Sequence, residues 1–263
     1  MIKKTEHTFA ILAYKESPYL EKTILSLKSQ TYESYIFIAT STPCSFLETS
    51  AQKHKLGILV NQNSKGISSD WSFALNNSKT KYITLAHQDD LYLPDYTEKC
   101  LFFAERHCNN LITFTDYGEL IEGKPRFLTL NLIIKHILLS PYLFKDALYS
   151  KFFKRSILSF GSPIPCPGVM YNIKNIGHFE FSENFNINLD WDAWLRLAQI
   201  KGSFVYVKKK LLIHRIHKES ATTYGIKNNQ RQLEDRIIFK RLWPGPLSDI
   251  FSLLYSFSYM SNC

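Results

Sequence analysis

The sequence contains few cysteines, and they form no recognisable pattern. The five cysteines are odd in number, lie far apart along the chain and include no Cys-x-x-Cys pair. Disulfide frameworks and structural zinc sites both require closely or regularly spaced cysteines. We therefore expect neither, and the cysteine usage favours a reducing, cytosolic environment.

Long hydrophobic runs, repeats and linkers are absent too. No stretch reaches the roughly 18 consecutive apolar residues of a membrane-spanning helix. The first apolar run ends at Lys15, too early for the core of a signal peptide. No fixed-period repeat or Gly/Ser-rich linker divides the 263 residues, of which 45% are hydrophobic. We expect one elaborate domain without an integral membrane segment.

Acidic residues are in deficit. The chain has 23 Asp and Glu residues against 32 Lys and Arg residues, which gives a formal net charge of +9. Such a surplus favours an anionic partner: a nucleic acid, a phosphorylated small molecule or an anionic bilayer surface. The surplus is concentrated toward the C-terminus, between Lys201 and Arg241, but charge alone does not choose among these partners.

Short apolar runs alternate with helical patterns in the first half of the chain. The predicted strands are residues 8–14, 35–39, 56–60, 82–86 and 111–115, and the predicted helices begin at Ser17-Pro18, after Pro43, near Ser68 and beyond Pro94. This alternation predicts an α/β fold with a parallel sheet covered on both faces. Ligands of such sheets bind at the carboxyl ends of the strands.

The pair Asp89 and Asp90 directly follows the fourth predicted strand. Neighbouring carboxylates repel each other unless a cation lies between them, and hard divalent ions prefer oxygen ligands. A Mg²⁺ or Mn²⁺ ion bound to a diphosphate fits this pattern. The alternative is that one of the two caps the helix that begins near Pro94.

Several segments together resemble the family 2 glycosyltransferases of the GT-A fold, of the bacterial surface polysaccharide or lipopolysaccharide type. TFAILAYKESPYLEKTILSLKSQTY and GISSDWSFALNNSKTKYITLAHQDDLYLP are similar to the donor-binding half of that family. NLDWDAWLRLAQIKG resembles its acidic helix start, and HRIHKESAT its closing Arg-x-His-x-x-Ser segment. The resemblance covers most of the chain to Thr223. It implies a Rossmann-like, mostly parallel sheet in which residues 1–95 bind a nucleotide sugar and residues 96–223 face the acceptor.

The resemblance also implies a donor site. Its residues would be Ala13, Tyr14, Glu16, Thr40, Asn61, Gly66, Asp70, His87, Gln88, Asp89 and Asp90. Asp89 matches the last acidic residue of the family's Asp-x-Asp metal motif, with Asp90 beside it. His87 stands where the family has its first Asp, and it could ligate the metal or reach the ribose or a phosphate oxygen.

A second departure concerns the nucleotide. The family commonly has an acidic pair after the second strand that holds uracil, whereas this chain has Ala39-Thr40-Ser41-Thr42. Hydroxyl groups can still bind a base or ribose, but less selectively than a fixed carboxylate. The resemblance favours a UDP-sugar and leaves the base open.

On the acceptor side, the resemblance makes Asp190 the catalytic base, with Asp192 as the fallback. Trp191 and Trp194 lie in the same stretch, and aromatic faces beside carboxylates suit a sugar ring. The alternatives are that Asp190 caps the helix and that both tryptophans pack in the core.

Two basic residues follow the predicted strand 203–207. Arg215 and His217 would contact phosphate in this family, and His217 could also ligate the metal. The ordinary alternative for His217 is a surface histidine.

Together these residues predict an inverting, metal-dependent, hexosyltransferase-like enzyme with a saccharide or lipid-linked acceptor. A sugar-phosphate nucleotidyltransferase is an alternative, but the Gly-rich phosphate loop typical of those enzymes is absent from residues 13–17. A non-catalytic membrane-surface binding protein is a further alternative.

Residues 224–263 predict a basic, aromatic helical extension. Aromatic residues alternate with Arg and Lys from Arg236 to Trp243, and an apolar pattern continues from Leu247 to Met260. This combination favours an interfacial anchor over a nucleic-acid surface. We predict a cytoplasmic protein held peripherally at the anionic inner face of the cytoplasmic membrane, with no nucleic-acid partner. Residues 126–160, apolar and basic together, predict either a helical pair packed over the sheet or a membrane-facing or acceptor-gating element.

Overall fold

A large mixed sheet forms the centre of the protein. The computed structural model describes residues 5–121, 123–217, 225–226, 228–257 and 259. Within them, ten strands form one sheet. The strands are β1 (His7–Ala13), β2 (Tyr35–Thr40), β3 (Gly57–Val60), β4 (Tyr82–His87), β5 (Leu91–Tyr92), β6 (Asn110–Ile121), β7 (Lys124–Arg126), β8 (Ala147–Leu148), β9 (Val169–Asn172) and β10 (Ser203–Ile216).

Helices cover the sheet and connect its strands. They are α1 (Leu20–Lys28), α2 (Ser45–His54), α3 (Ile67–Asn76), α4 (Tyr96–Glu105), α5 (Leu130–Leu138), α6 (Lys151–Ser156), α7 (Ile173–Ile176), α8 (Leu189–Leu197), α9 (Gln230–Leu242) and α10 (Gly245–Ser256). Short 3-10 turns lie at Ser140–Tyr142 and Cys166–Gly168. In the part of the chain that is described, no helix is long and apolar enough to span a bilayer.

The strand order is β3-β2-β1-β4-β9-β6-β10-β5, with β7 on β6 and β8 on β10. Strands β3, β2, β1 and β4 pair in parallel, and β6 pairs in parallel with β10. Strand β9 lies antiparallel between β4 and β6. The predicted α/β fold class with a mostly parallel sheet and helices on both faces is confirmed.

The side chains of β1 are buried on both faces of the sheet, which explains the continuous apolar sequence of this strand. Phe9 and Ile11 pack into one core cluster, while Ala10 packs into the cluster on the other face of the sheet. All three are fully buried. Successive side chains of a strand point to opposite faces, so a strand covered on both sides needs apolar residues at every position.

The structure corrects two predicted boundaries. Helix α1 begins at Leu20, and Ser17 accepts a hydrogen bond from the Tyr19 backbone N–H at 3.3 Å in the turn before it. Strand β10 continues to Ile216, nine residues beyond the predicted end at Val207. Its pairing with β6 shifts register between Val207 and Lys210 and again between Lys210 and Leu212.

The segment after residue 223 shares the core of the rest of the chain. On α9, Ile238 and Phe239 are fully buried, and the Phe239 ring lies 5.3 Å from that of Trp191. The Glu234 carboxylate accepts backbone hydrogen bonds from residues 186, 187 and 188 at 2.8–2.9 Å. The predicted boundary at residue 223 itself lies outside the described residues.

Candidate active site

A cavity of about 810 Å³ opens at the carboxyl ends of β1, β2 and β4. Loops that follow parallel strands meet at this edge, so residues far apart in sequence come together there. Nine residues predicted from the sequence line it: Ala13, Tyr14, Gly66, Asp70, His87, Gln88, Asp89, Asp190 and His217. The cavity thus unites seven of the eleven predicted donor-binding residues with the predicted base.

The turn after β4 is held rigidly. The Thr23 hydroxyl on α1 donates to the backbone oxygens of Gln88 and Asp90, each at 2.9 Å. The Gln88 side chain accepts from the Tyr14 backbone N–H and donates to the Tyr14 carbonyl, both at 3.1 Å. These bonds fix the carboxylates of the turn relative to β1.

Asp89 and Asp90 differ in environment. The Asp90 side chain is fully buried, and its Oδ1 accepts from the Arg215 backbone N–H at 2.8 Å and pairs with His214 Nδ1 at 2.9 Å. Asp89 faces the cavity, where its Oδ2 lies 2.7 Å from His217 Nε2. Neither caps α4, whose N-cap residue is Asp95.

The charges in this cluster compensate one another. Burial pushes the pKa of Asp89 upward, but the His217 hydrogen bond and the nearby His87 and His214 hold that pKa below its ordinary value. Burial disfavours the charged form of His214, yet Asp90 and Asp89 raise the His214 pKa above its ordinary value. Asp89 is therefore a carboxylate at neutral pH.

The cluster offers a potential cation site. His87, Asp89 and Asp90 each present a ligand atom, and these atoms lie within 4.8 Å of one another. Asp90 Oδ2 and His87 Nε2 are buried and have no hydrogen-bond partner among the described residues. Buried polar atoms without partners are costly, and a bound divalent ion would satisfy the carboxylate.

Asp190 is the second residue of α8 and lines the cavity. The N-cap of α8 is Asn188, so the alternative role of Asp190 as an N-cap is wrong. Burial raises the pKa of Asp190 above its ordinary value, although Arg231 and Lys135 act in the opposite direction. A carboxylate with a raised pKa is a better proton acceptor than an exposed one.

Asp70 on α3 reaches across to the end of β2. Its carboxylate accepts from the Ser41 hydroxyl at 2.6 Å and from the Asn61 amide at 2.8 Å. Asn61 is buried and does not line the cavity, and Thr40 is buried behind Ser41. Asp70 of α3 thus places a carboxylate at the end of β2, where the following residues Ser41 and Thr42 carry no acidic group.

Three predicted acceptor-side residues do not line the cavity. Trp191 and Trp194 are fully buried, and Trp191 Nε1 donates to the Leu158 carbonyl at 3.0 Å. Their predicted role in binding a sugar is wrong, because they pack in the core. Asp192 is buried outside the cavity and binds Arg196 and Arg241 at 2.8 and 2.7 Å, so it is not placed to serve as the base.

Arg215 and Glu16 are also not in the cavity wall. The Arg215 Nε donates to the Asp89 carbonyl at 3.0 Å, and its guanidinium lies 4.3 Å from the centre of the Tyr19 ring. Arg215 therefore supports the turn that carries Asp89, and its predicted phosphate contact stays a prediction. Glu16 is exposed. Ser220, the last residue of the Arg-x-His-x-x-Ser pattern, lies outside the described residues.

Sequence reasoning missed several residues that line the cavity. Among them are Tyr117, Glu119, Lys135, Arg231, Tyr255 and Tyr259. They come from β6, α5, α9 and the region of α10, which no recognised motif covers. The concentration of basic residues toward the C-terminus was the one available signal, and it indicated the Arg231 region without indicating its position.

Known proteins can be compared with this arrangement. A model of glycosyl transferase family 2 matches residues 8–161, more than half of the chain. The chain belongs to glycosyl transferase family 2. This membership decides against the nucleotidyltransferase and non-catalytic alternatives, and the protein is a glycosyltransferase.

Relatives of this family 2 glycosyltransferase occur in distant organisms. An uncharacterized glycosyltransferase of Rickettsia typhi is 26% identical over 253 residues, covering 91% of this chain and 71% of the relative. One of Methanocaldococcus jannaschii is 24% identical over 205 residues, covering 75% of this chain and 66% of the relative.

Solved structures share the fold at low identity. The crystal structure of S. aureus TarS 1-349 has a TM-score of 0.65 and 12% identity, covering 97% of this chain and 73% of TarS 1-349. The same TarS segment is also known in complex with UDP-GlcNAc, with a TM-score of 0.62, 12% identity, and coverage of 98% and 73%. The mannosyltransferase PcManGT from Pyrobaculum calidifontis, in complex with GDP-Man and Mn²⁺, has a TM-score of 0.62 and 10% identity, covering 97% of this chain and 69% of PcManGT.

Proposed function

We propose that this glycosyltransferase moves a sugar from a nucleoside diphosphate to an acceptor hydroxyl group with inversion of the anomeric configuration. The observation that carries the proposal is that Asp89, after β4, and Asp190, on α8, line one cavity. The first suits a donor diphosphate with its metal ion, and the second suits proton removal from the acceptor.

The donor side suits a Mg²⁺ or Mn²⁺ ion. Asp89, with Asp90 and His87, would hold it, and His217 beside Asp89 is a further candidate ligand or phosphate contact. When bound, the ion supplies positive charge that stabilises the departing diphosphate. The mannosyltransferase neighbour was solved with Mn²⁺, which supports the same requirement here.

On the acceptor side, Asp190 accepts the proton of the attacking hydroxyl group. The acceptor oxygen forms a bond to the anomeric carbon while the bond from that carbon to the diphosphate oxygen breaks, and the electron pair leaves with the nucleotide. A single displacement of this kind inverts the anomeric centre. Lys135 and Arg231, which act on the pKa of Asp190, keep part of its carboxylate form available.

The nucleotide base is the natural ligand of Asp70. Its two oxygens are oriented by Ser41 and Asn61, and each retains acceptor capacity for an imide or amide N–H. Uracil and guanine carry such N–H groups, and the structural neighbours include complexes with UDP-GlcNAc and GDP-Man. We favour a UDP-sugar as the donor.

Asp70→Asn should weaken binding of UDP about tenfold, because the amide replaces one carboxylate oxygen by an NH2 group and so removes an acceptor for the N–H of uracil. Isothermal titration calorimetry with UDP and Mn²⁺ measures the effect. The matched control is Glu48→Gln, an exposed carboxylate on α2 outside the cavity, which should bind UDP like the wild type. Equal affinities for both variants would show that Asp70 does not contact the base.

The donor class can be tested without knowing the acceptor. Thermal unfolding is followed in a panel of UDP-, GDP-, CDP- and dTDP-sugars with Mn²⁺, Mg²⁺ or EDTA. We expect UDP-sugars with a divalent ion to raise the melting temperature by several degrees, because a ligand that binds only the folded state stabilises it. If no nucleotide sugar changes the melting temperature or is hydrolysed, the proposal is wrong.

We also propose that the acceptor is a saccharide or lipid-linked saccharide of surface polysaccharide or lipopolysaccharide synthesis, and that residues 224–263 attach the protein to the anionic inner face of the cytoplasmic membrane. On α10, Leu253 and Leu254 are 65% and 56% exposed, which suits a bilayer contact. Tyr255 faces inward and its ring lies 5.3 Å from that of Trp191. Deleting the segment would therefore damage the core, so surface substitutions are the appropriate test.

A further inference from the structure

Helix α5 and the segment that leads from it to α6 expose a row of large apolar side chains. We define the α5–α6 face by the residues Leu128, Leu130, Ile133, Ile134, Ile137, Leu143, Phe144 and Phe152. Each is at least 40% exposed, and Phe144 is completely exposed. Monomeric proteins rarely leave contiguous apolar surface of this kind in water.

Leu132 is the one buried residue of α5, and most of the other apolar residues of this helix are exposed. The apolar residues at positions 130, 133, 134 and 137 share one side, as the helical period requires, and that side is exposed. The polar residues contact the protein. Lys135 Nζ donates to the Tyr117 hydroxyl at 2.6 Å, and His136 Nε2 lies 2.9 Å from Asp116 Oδ2. The apolar side therefore lacks a partner in the described part of the chain.

The charge around this face is mostly positive. Residues 123–160 contain seven Lys or Arg residues and a single acidic residue, Asp146. Lys124, Arg126, Lys145 and Lys151 are exposed. The Lys145 ammonium lies 4.4 Å from the centre of the Phe153 ring, so cation and aromatic ring share one surface. Apolar side chains among cations match an anionic bilayer interface.

The face is the outer side of the cavity wall. Asn131 and Lys135 of α5 line the cavity from the inside, as does Tyr255 of α10. The two helices lie close together at Gly161, where an added Cβ would lie 2.9 Å from the Tyr255 ring and 3.4 Å from Leu138. The exposed apolar residues of α10 thus extend the same wall.

We propose that the α5–α6 face inserts into the headgroup region of an anionic lipid bilayer and holds the acceptor side of the cavity against the membrane. The choice between the two interpretations of residues 126–160 then falls on the membrane-facing one. A second copy of this chain is a poorer occupant, because it would bring equal positive charge to the same surface. The biological reason for this membrane contact rests on the proposed lipid-linked acceptor. Membrane binding itself can be measured without donor or acceptor.

The test is sedimentation of the full chain with vesicles of phosphatidylcholine, with and without phosphatidylglycerol. We expect strong binding only to the anionic vesicles. The double variant Ile137→Ser/Phe144→Ser should reduce the partition coefficient at least about tenfold, through lost apolar insertion. The variant Lys145→Gln/Lys151→Gln should reduce it about fivefold per lysine on anionic vesicles.

The control variant is Leu25→Ser/Phe102→Ser. These residues are 51% and 52% exposed on α1 and α4, which contribute nothing to the cavity wall, and their change should leave vesicle binding intact. UDP-sugar stabilisation, measured in parallel, should be the same in all variants, which separates this inference from the proposed donor chemistry. Equal vesicle binding by wild type and face variants would overturn the inference. So would a dimer in light scattering that the face variants dissociate, without any vesicle binding.

Discussion

Asp190→Asn should reduce the rate of sugar transfer about a thousandfold, the range that a general base contributes. An amide cannot accept the acceptor proton, but it keeps the size of the side chain and an oxygen for the bond from the Trp191 backbone N–H, which is 2.7 Å long. UDP affinity should not change, because the proposed donor contacts come from β1, β2, α3 and the turn after β4, not from α8. Steady-state kinetics and UDP titration measure the two quantities separately.

The same substitution should leave the fold at least as stable. The pKa of Asp190 is raised by burial, so the folded state binds more protons than the unfolded state between the unfolded and folded pKa values. The free energy of unfolding therefore falls as pH rises through that window, and at neutral pH the buried charge opposes folding. Asn removes this cost. Its melting temperature at pH 7 should equal or exceed that of the wild type.

The raised pKa also has a kinetic consequence. Asp190 acts as a base only when deprotonated, so kcat should decline on the acidic side with an apparent pKa above the ordinary 3.8 of an Asp. A pH–rate profile of the wild type reports this value. An acidic limb at or below the ordinary value would mean that a different group accepts the proton.

Asp192→Asn is the matched control, with the opposite expected result. Asp192 holds Arg196 and Arg241 outside the cavity, so the variant should lose stability and retain its transfer rate when folded. The loss should be about 2 kcal/mol, less than for a fully buried pair because both arginines are partly exposed and screened. If Asp192→Asn abolished transfer while Asp190→Asn retained it, the assignment of the base would be reversed.

The donor half of the site was predictable because its residues are local to strand ends. Continuous apolar runs locate β1, β2 and β4, and the carboxyl end of each strand gives the position of the following polar residues without further information. Asp89 could be placed in this way, whereas Gly66, six residues beyond the end of β3, was placed by the resemblance to the family. The contact of Asp70 with Ser41 could not, because it joins a helix to a neighbouring strand end through side chains.

Around Asp190, the residue types alone led to a wrong prediction of a sugar-binding surface. Two tryptophans beside two carboxylates suit a sugar platform, yet the helix turns about 100° per residue. Asp190 and Asp192 therefore point to nearly opposite sides, and one face must be core. The structure turns Asp190 to the cavity and Trp191 and Trp194 to the interior. The helical period predicts that only one carboxylate faces the cavity, but it does not predict which one.

The cavity-lining residues Lys135 and Arg231 could not be predicted from the sequence for a different reason. Lys135 on α5 and Arg231 on α9 lie nearly a hundred residues apart in sequence. Helix α9 is placed by tertiary packing, since its Phe239 contacts Trp191 of α8 and Tyr255 of α10. Neither residue has a local pattern that distinguishes it from a surface cation. Lys135 and Arg231 line the same cavity because of how the helices pack in the folded protein.

Asp89→Asn should reduce transfer at least about a thousandfold and remove the stimulation by Mn²⁺ or Mg²⁺. Asp89 is the carboxylate of the His87, Asp89 and Asp90 cluster that faces the cavity, and its pKa is held below the ordinary value. An amide removes the negative charge that attracts a divalent ion. The neighbouring His87, His214 and His217 then have no charge from residue 89 to balance them. The prediction is checked by the metal dependence of the rate and by the Mn²⁺-dependent shift in melting temperature.

The control is Asp95→Asn at the N-cap of α4. Its side chain makes no capping hydrogen bond and lies outside the cavity wall, so rate, metal response and stability should remain those of the wild type. The fold should survive Asp89→Asn as well, because the Thr23 and Arg215 contacts to the turn use backbone oxygens. An Asp89→Asn variant that remained fully active and still responded to Mn²⁺ would place the metal elsewhere. The buried Asp90, with both His214 and the Arg215 backbone bound to one oxygen, would then be the carboxylate to change next.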